Sequence, residues 1–407
     1  TDSSGAEENI LSVTTIDVVS LSRAITRRRV SVFGPAIEGL SEELGQRFSG
    51  ASILVSGGAG FIAGQTIRKL LSYGPSKIAV LDSNENALAE LVRDLRGEGA
   101  IPETCAFEPR LVDVTQPILN RVVDEAGPFD VALAFAAAKH VRSERDVASA
   151  LHMLNVNING TMRVVEQALV GNPECSPFVV STDKAASPSS MMGASKRAME
   201  MAVIGTYPQT TTTRFANVAF SSGSLLESWL IRLSRGQALA VPAETERFFV
   251  SPSEAGELCT CASIASPGTI VVPSAGAVDS LDLVVALERV LESLNIVPAF
   301  FESETDANAF MGPPNQRAVL VTARDTAGEK PAEVFVGGTE RQAAWVRNLD
   351  VVTSTFSPTS ALELAAFVRE AIADRTRPNL EEVSKMLSAT VTEFKHVTSA
   401  QRLDDRI

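Results

Sequence analysis

Residues 52–71 constrain this chain more than any other stretch. Ser52-Ile-Leu-Val-Ser56 is a short apolar run, Gly57-Gly58-Ala59-Gly60 follows at once, and Gln65 to Leu71 carries helical spacing. A strand that turns through glycines into a helix gathers free backbone N–H groups and the positive end of a helix dipole at one point. The missing side chains let a pyrophosphate come close. Gly57 and Gly60 are therefore candidate cofactor contacts, with Phe61 and Ile62 opening the helix beside them. A purely structural glycine turn is the bland alternative. Asp82 argues against it, because it closes the next strand about 20 residues on, where a carboxylate can accept hydrogen bonds from an adenosine ribose. An acid there repels the 2′-phosphate of NADP, and Asp82-Ser-Asn-Glu85 holds no Arg, so NAD is the expected cofactor.

From Ser52 onward short β-rich runs alternate with amphipathic stretches: Ile53 to Val55, Lys77 to Leu81, Val131 to Phe135, Phe178 to Val180 and Thr211 to Phe215. That rhythm implies right-handed βαβ units, hence an α/β fold with a Rossmann-type doubly wound parallel sheet and a smaller C-terminal substrate-binding region. Asp113 and Val114, after a third strand, are expected near the adenine. Ala136 and Ala137, after the strand ending at Phe135, are small enough to let a cofactor cross the strand ends. The domains expected are an N-terminal extension with short helices (1–50), the NAD-binding unit (51–220), a mixed substrate-binding region (221–345) and a helical tail (346–407). Ala36 to Phe48, Leu225 to Arg235, Ser253 to Ala262, Leu281 to Leu294, Ala361 to Ala373 and Leu380 to Phe394 read as helices. Pro242 to Arg247 reads as a polar bend, and residues 302–345 as a loop or insertion with no readable pattern.

Composition excludes several classes. A formal net charge of −13 opposes broad contact with a phosphate backbone, so nucleic acid is not an expected partner. Four cysteines are too few and too irregular for a disulfide scaffold, and no Cys/His set has metal-ligand spacing. Cys259 and Cys261 read as buried structural thiols. The apolar stretch from Ile10 to Leu21 is short and broken by Thr and Asp, so neither a signal segment nor a membrane span is expected. A cytoplasmic, soluble, homo-oligomeric protein is the expectation.

Hydride-transfer chemistry in such a fold belongs beyond the carboxyl ends of the next strands. After Val180 comes Ser181-Thr182-Asp183-Lys184-Ala185, then Met191-Met192-Gly193-Ala194-Ser195-Lys196-Arg197. A hydroxyl, a carboxylate and an amine side by side make a compact acid/base group. Their bland reading is a helix cap with an incidental charge pair. Lys196 lies one helical turn after Met192 and could reach a nicotinamide ribose. Tyr73 and Lys77 share the spacing of a Tyr/Lys pair, but they lie in the loop entering the second strand, away from a nicotinamide, and are set aside.

These two segments resemble the extended short-chain dehydrogenases, and specifically the capsular-polysaccharide UDP-N-acetylglucosamine 4,6-dehydratase family, over about residues 25–300. Ala138-Lys139-His140-Val141 is similar to that family's Lys-His-Val element, Asn157-Ile-Asn-Gly-Thr161 to its Asn-Val-x-Gly-Thr helix, and Arg247-Phe248-Phe249 to its Arg-Tyr-Phe segment. Arg214-Phe-Ala-Asn217-Val218 with Ser222-Gly-Ser224 is similar to its diphosphate-contacting region. The chain departs from the pattern at Ala63 and Ala216, each in place of Gly, and at Glu246. A Gly-Glu-Lys remnant survives at 328–330. Met192 replaces the usual Tyr, as in the long branch of the family, whose membrane helices this sequence lacks.

The resemblance implies C4 oxidation by NAD, loss of water across C5 and C6, and hydride return to C6 of a UDP-sugar. It implies Asp183 as acid for the 6-hydroxyl, Lys184 as base at C5, Thr182 as partner of the 4-oxygen, and Lys196 on the ribose. Lys139, His140, Asn217, Ser222 and Arg247 are implied on the substrate side, although a histidine after a strand end, as His140 is, is more often structural or cofactor-adjacent. With Met192 in place of Tyr, the base for the 4-hydroxyl stays open among Lys184, Lys196 and a bound water. A 4-epimerase or another sugar-nucleotide oxidoreductase is the alternative activity, and a non-catalytic dinucleotide-binding protein the third reading.

Overall fold

Ser52–Ser56, Val131–Ala134 and Ser176–Val180 are buried along almost their whole length, which requires a sheet covered on both faces. The computed structural model describes residues 17–139, 144–215, 217–323 and 333–394. Its strands are β1 Ser52–Ser56, β2 Lys77–Asp82, β3 Ala106–Leu111, β4 Val131–Ala134, β5 Ser176–Val180, β6 Thr211–Thr213, β7 Asn217–Val218, β8 Leu239–Pro242, β9 Glu246–Val250, β10 Ile270–Pro273, β11 Ser280–Asp282, β12 Val297–Phe301, β13 Gln316–Thr322, β14 Arg341–Val346 and β15 Leu349–Thr353. Its helices are α1 Val18–Thr26, α2 Gly34–Gly39, α3 Ser41–Phe48, α4 Phe61–Leu71, α5 Glu85–Gly97, α6 Ile118–Ala126, α7 Val147–Leu154, α8 Thr161–Gly171, α9 Met191–Thr206, α10 Leu225–Ser234, α11 Pro252–Ala262, α12 Leu283–Ser293, α13 Glu304–Ala309, α14 Thr359–Ile372 and α15 Leu380–Thr390.

The main sheet runs β14-β15-β10-β6-β5-β4-β1-β2-β3. From β10 to β3 every pair is parallel, and the β14–β15 hairpin adds antiparallel to β10. Alternation along each strand sorts the two faces. Leu54, Ala79, Leu81, Ala132, Ala134 and Val179 pack with α6–α9, α14 and α15. Ile53, Val55, Ile78, Val80, Leu133 and Phe178 pack with α2–α5 and α11. Strand order reverses between β1 and β4, which opens a cleft at their carboxyl ends.

After β6 the chain leaves the sheet and returns through α11 to β10. The excursion builds two three-stranded sheets, β11-β9-β7 and β12-β13-β8. A separate core of Trp229, Leu233, Leu239, Val241, Leu287 and Val290 joins them to Leu21 and Ile25 of α1. The Rossmann-type fold and most expected elements are present, with boundaries shifted by a few residues.

Three differences have physical reasons. Ala36 to Phe48 is two helices that break at Leu40. Residues 302–345 hold α13, β13 and β14, and the tail expected to be helical begins with β15. Short strands such as these carry no periodicity of their own. β14 and β15 exist because they pair with each other and with β10, turning through Asn348 at φ 68°. Helices α14 and α15 lie against the sheet-covering helices, with Leu364, Val368, Val383 and Leu387 fully buried.

Candidate active site

The cleft's cofactor end is built by close backbone approach. Gly57 has φ +64°, and a Cβ on it would lie 2.4 Å from the Ala136 nitrogen, so glycine lets the ends of β1 and β4 meet. A Cβ on Gly58 would lie 2.3 Å from Val80 Cγ1. Gly60 is the N-cap of α4, and no side chain caps that helix. Its first-turn N–H groups, around Phe61 and Ile62, therefore have no intrahelical acceptor. Asp82 ends β2 with Oδ2 accepting from Ala59 N at 3.0 Å and Oδ1 accepting from Asn84 N at 2.9 Å. The same acid braces the glycine turn from the end of the second strand, where the sequence expects a ribose. Where Ala63 replaces a third glycine, close packing passes to the other side of α4: Gly256 of α11 would bring a Cβ to 2.8 Å from the carbonyl carbon of Gln65.

Asp113 Oδ1 accepts from the Thr115 amide and hydroxyl, both at 2.8 Å. Val114 is buried, Ala136 half-buried and Ala137 exposed at the mouth of the cleft. Uncapped amides, a cradle that a Cβ would fill and an acid at the second strand end fit a dinucleotide.

At the neighbouring strand end, Thr182 is extended and caps a short turn over Asp183–Ala185. Its hydroxyl donates to Asp183 Oδ1 at 2.7 Å, and Lys184 Nζ lies 3.3 Å from the same oxygen. The cap and the close grouping of a hydroxyl, a carboxylate and an amine thus coexist in the same three residues. Asp183 is buried, while the Lys184 side chain is 42% exposed. Burial pulls the Lys184 ammonium down, but the charges of Asp183 and Glu333 outweigh it and raise its pKa.

Helix α9 presses on this turn. A Cβ on Gly193 would lie 2.6 Å from the Lys184 carbonyl oxygen. Met192 and Lys196 are both buried, and Lys196 Nζ donates to the Val180 carbonyl at 3.1 Å. Burial lowers the Lys196 pKa to about 8, with Glu200 opposing. Sequence reasoning assigned no role to three residues that tie the region together. Asn157 bonds both Ala138 N and O and donates to Ser195 Oγ at 2.8 Å, Ser195 donates to the Met192 carbonyl, and Glu144 accepts from Met192 N at 3.1 Å.

The substrate side brings together only part of the expected set. Asn217 Nδ2 donates to Glu333 Oε1 at 2.6 Å, the Phe248 amide donates to Glu333 Oε2 at 3.0 Å, and Arg247 Nε lies 3.8 Å from Oε1. Ser222 and Lys139 are exposed. His140, Ala216 and the Gly-Glu-Lys remnant at 328–330 lie outside the described residues. Glu333 was not anticipated; the one signal for it was its place just after that remnant. Arg214, which opens the segment similar to a diphosphate-contacting region, is fully buried, donating to both Glu200 and Glu340, with Arg197 completing the quartet. A guanidinium held there has no approach to a ligand in the cleft.

Tyr73 packs on Phe48, with ring centroids 5.7 Å apart, at the amino ends of the strands and away from the cleft. All four cysteines are free thiols and buried. Among the described residues no cluster of three or more His, Cys, Asp or Glu could hold a metal, and no helix is long and apolar enough to cross a membrane.

The model of a family described as polysaccharide biosynthesis protein matches residues 53–340. The chain belongs to that family. Its match to the capsular polysaccharide biosynthesis protein CapD of Staphylococcus aureus is 29% identical over 57% of this chain and 39% of that protein. An uncharacterized membrane protein of Methanocaldococcus jannaschii is 31% identical over 62% of this chain and 74% of its own length. The match thus spans well under half of the Staphylococcus relative.

Among solved structures, Pen from Bacillus thuringiensis superposes with TM-score 0.59 at 19% identity, covering 76% of this chain and 88% of Pen. An epimerase from Methanothermobacter thermautotrophicus (TM-score 0.55, 14% identity, 82% of this chain and 98% of that one) shares the fold. So does a dTDP-glucose 4,6-dehydratase from Bacillus anthracis (TM-score 0.51, 17% identity, 70% and 87%). At such identities the likeness is one of fold, which hosts more than one activity.

Proposed function

We propose that this protein is an NAD-dependent nucleotide-sugar 4,6-dehydratase acting on UDP-N-acetylglucosamine or a close relative. The observation that carries the reading is the Asp183–Lys184 pair with Thr182 bonded to it, set at a strand end beside the dinucleotide cleft. NAD, when bound, would accept hydride from sugar C4 and return it at C6. Gly57, Gly60, Phe61, Ile62, Asp82, Asp113, Val114, Ala136, Ala137 and Lys196 are the residues we assign to holding it.

The pair already contains the protons that an elimination needs. An aspartate beside a lysinium is the tautomer of an aspartic acid beside a neutral amine. Substrate that covers Lys184 and expels water favours the neutral form. Asp183 then donates its proton to the departing 6-hydroxyl, which leaves as water, while Lys184 takes the proton from C5. The elimination leaves aspartate and lysinium; return of hydride at C6 then draws the lysinium proton back to C5, and the proton taken from the 4-hydroxyl restores the pair to aspartate and lysinium. Thr182 is placed to hold the 4-oxygen. For the proton of the 4-hydroxyl, Lys196 is the better suited of the two lysines, because its burial-lowered pKa lies near the working range. Asn217, Ser222, Arg247, Lys139 and His140 are assigned to the UDP-sugar.

Incubation of the purified protein with NAD and UDP-N-acetylglucosamine tests this reading. The expected product is lighter by one water in mass spectrometry and carries a 4-keto group. An isomer of unchanged mass would instead establish a 4-epimerase. NAD binding without turnover of any sugar nucleotide would leave a non-catalytic binding protein.

A further inference from the structure

The strand end that carries the acid/base turn is held by one face of α9. Gly193, Lys196 and Glu200 follow one another at spacings of three and four residues, which puts them on the same side of the helix. Gly193 packs against the Lys184 carbonyl, Lys196 Nζ donates to the Val180 carbonyl, and Glu200 Oε1 accepts from the Ser181 hydroxyl at 2.6 Å. One helix face thus grips residues 180, 181 and 184, on either side of Thr182 and Asp183.

The three holds differ in kind. Gly193 sets a limit of approach and pulls on nothing. Lys196 is a tether whose amine the proposed chemistry also employs on a ribose and on a proton. Glu200 has no such second duty. Its carboxylate is fully buried, and besides Ser181 it accepts from Arg214 Nε at 2.8 Å, Arg214 Nη2 at 2.6 Å and Arg197 at 3.2 Å. Both arginines are fixed in turn by Glu340. Burial pushes the Glu200 pKa up, but Arg214, then Arg197 and the Ser181 hydroxyl, hold it below the ordinary carboxylate value. The Ser181 hydroxyl therefore donates to an anion, a bond about twice as strong as one between neutral groups.

Ser181 is buried as well, and its backbone amide donates to the Thr213 carbonyl of β6 at 3.0 Å. Arg214, the next residue after Thr213, is the one that Glu200 holds most tightly. The bonds close a ring: Ser181 main chain to Thr213, Arg214 side chain to Glu200, Glu200 back to the Ser181 side chain. A residue tied by its main chain to β6 and by its side chain to α9 has one direction in which to deliver the chain into Thr182.

We infer that Ser181 is a positioning residue of this active site: its hydroxyl, held by Glu200, sets where β5 delivers Thr182 and Asp183 relative to Lys196 of α9. The catalytic consequence rests on the dehydratase reading, but the hold on the turn does not.

Ser181→Ala tests this, because it removes the hydroxyl and leaves the four charged side chains paired with one another. Hydrogen exchange of the full chain, followed by mass spectrometry, reads the turn without turnover. The Ala185 amide donates to the Thr182 carbonyl at 3.0 Å and the Ala186 amide to the Asp183 carbonyl at 3.1 Å. In Ser181→Ala both should exchange about tenfold faster while the amides of α4 keep their rates. Ser181→Thr, which retains a hydroxyl, should exchange as the parent does. Unchanged exchange in Ser181→Ala overturns the inference, as does equally fast exchange in folded Ser181→Thr. Should Ser181→Ala fail to fold, the unsubstituted protein decides the matter: these two amides should be protected to the same degree as the Ser181 amide, and rapid exchange overturns the inference.

With NAD and sugar nucleotide, kcat of Ser181→Ala should fall by about tenfold while KM stays within about twofold, since the reacting groups are displaced and the binding groups are not. Ser181→Thr should recover kcat. A kcat within about twofold of the parent in folded Ser181→Ala, a loss confined to KM, or an equal loss in folded Ser181→Thr overturns the assigned role. If the unsubstituted protein turns over no sugar nucleotide, the dehydratase reading fails while the exchange measurement still reports on Ser181.

Discussion

Replacing Gly193 by Ala probes how α9 holds the acid/base turn. A Cβ there would sit 2.6 Å from the Lys184 carbonyl oxygen, with the Lys184 carbonyl carbon and Cβ each at 3.2 Å. An ordinary contact needs about 3.5 Å, so the Lys184 backbone must retreat by about 0.9 Å. The obstacle is backbone, which cannot swing aside as a flexible side chain would. Overpacking of this kind costs about 1–3 kcal/mol, and displacement of a reacting group by about 1 Å costs about 100-fold in rate. Helix propensity alone pulls the other way, favouring Ala by about 1 kcal/mol, so the signs of the two effects separate them. Gly45 in α3 is the control, because a Cβ there meets nothing within 4 Å. Gly193→Ala is expected to lower kcat of sugar-nucleotide dehydration by about 100-fold, with NAD affinity nearly unchanged. Gly45→Ala should keep full activity and gain thermal stability. Steady-state kinetics with mass-spectrometric product detection, together with thermal denaturation, makes the comparison. A Gly193→Ala protein that turns over within about twofold of the parent would show that the turn is not held from this side, and the reasoning would be wrong.

Three further outcomes follow from the same geometry. Asp183→Asn and Lys184→Ala should each keep NAD affinity and lose about two orders of magnitude or more in dehydration rate; near-normal turnover in either removes that residue from the assigned chemistry. Gly57→Ala places a Cβ 2.4 Å from the Ala136 nitrogen at a φ of +64°, so NADH fluorescence titration should show at least about tenfold weaker binding. Burial of Glu340 is outweighed by Arg214 and then by the Gly337 amide and Arg197, which hold its pKa down at about 2 against 4.5. Its contribution to stability is therefore complete above the unfolded value and lost as pH falls from about 4.5 through 2. Denaturant titrations across that window should show a shallower pH dependence in Glu340→Gln than in the parent; equal slopes would refute the assignment.

Legibility along the chain followed the physics of each signal. The strand, glycine turn and helix at 52–71 were readable because each step is local: an apolar run, residues without a Cβ, then a helical period. Thr182, Asp183 and Lys184 were readable because they are consecutive, and a turn that brings neighbours together needs no distant partner. Glu333 and the Arg197–Glu200–Arg214–Glu340 quartet were not, because their members lie far apart in sequence and no local pattern marks a charge that will be buried. Arg214 opens the segment similar to a diphosphate-contacting region, and only the structure shows that two glutamates hold its side chain in the interior.

By itself, the sequence determined the doubly wound sheet, the glycine turn from β1 into α4 and the turn at Thr182–Lys184, since periodicity and glycine placement act over a few residues. Only the tertiary structure decided that 341–353 extends that sheet, that the last two helices cover its face, and that a glutamate from beyond β13 enters the site. Each of those depends on pairing or burial between segments whose own composition leaves several conformations nearly equal, so contact alone selects among them.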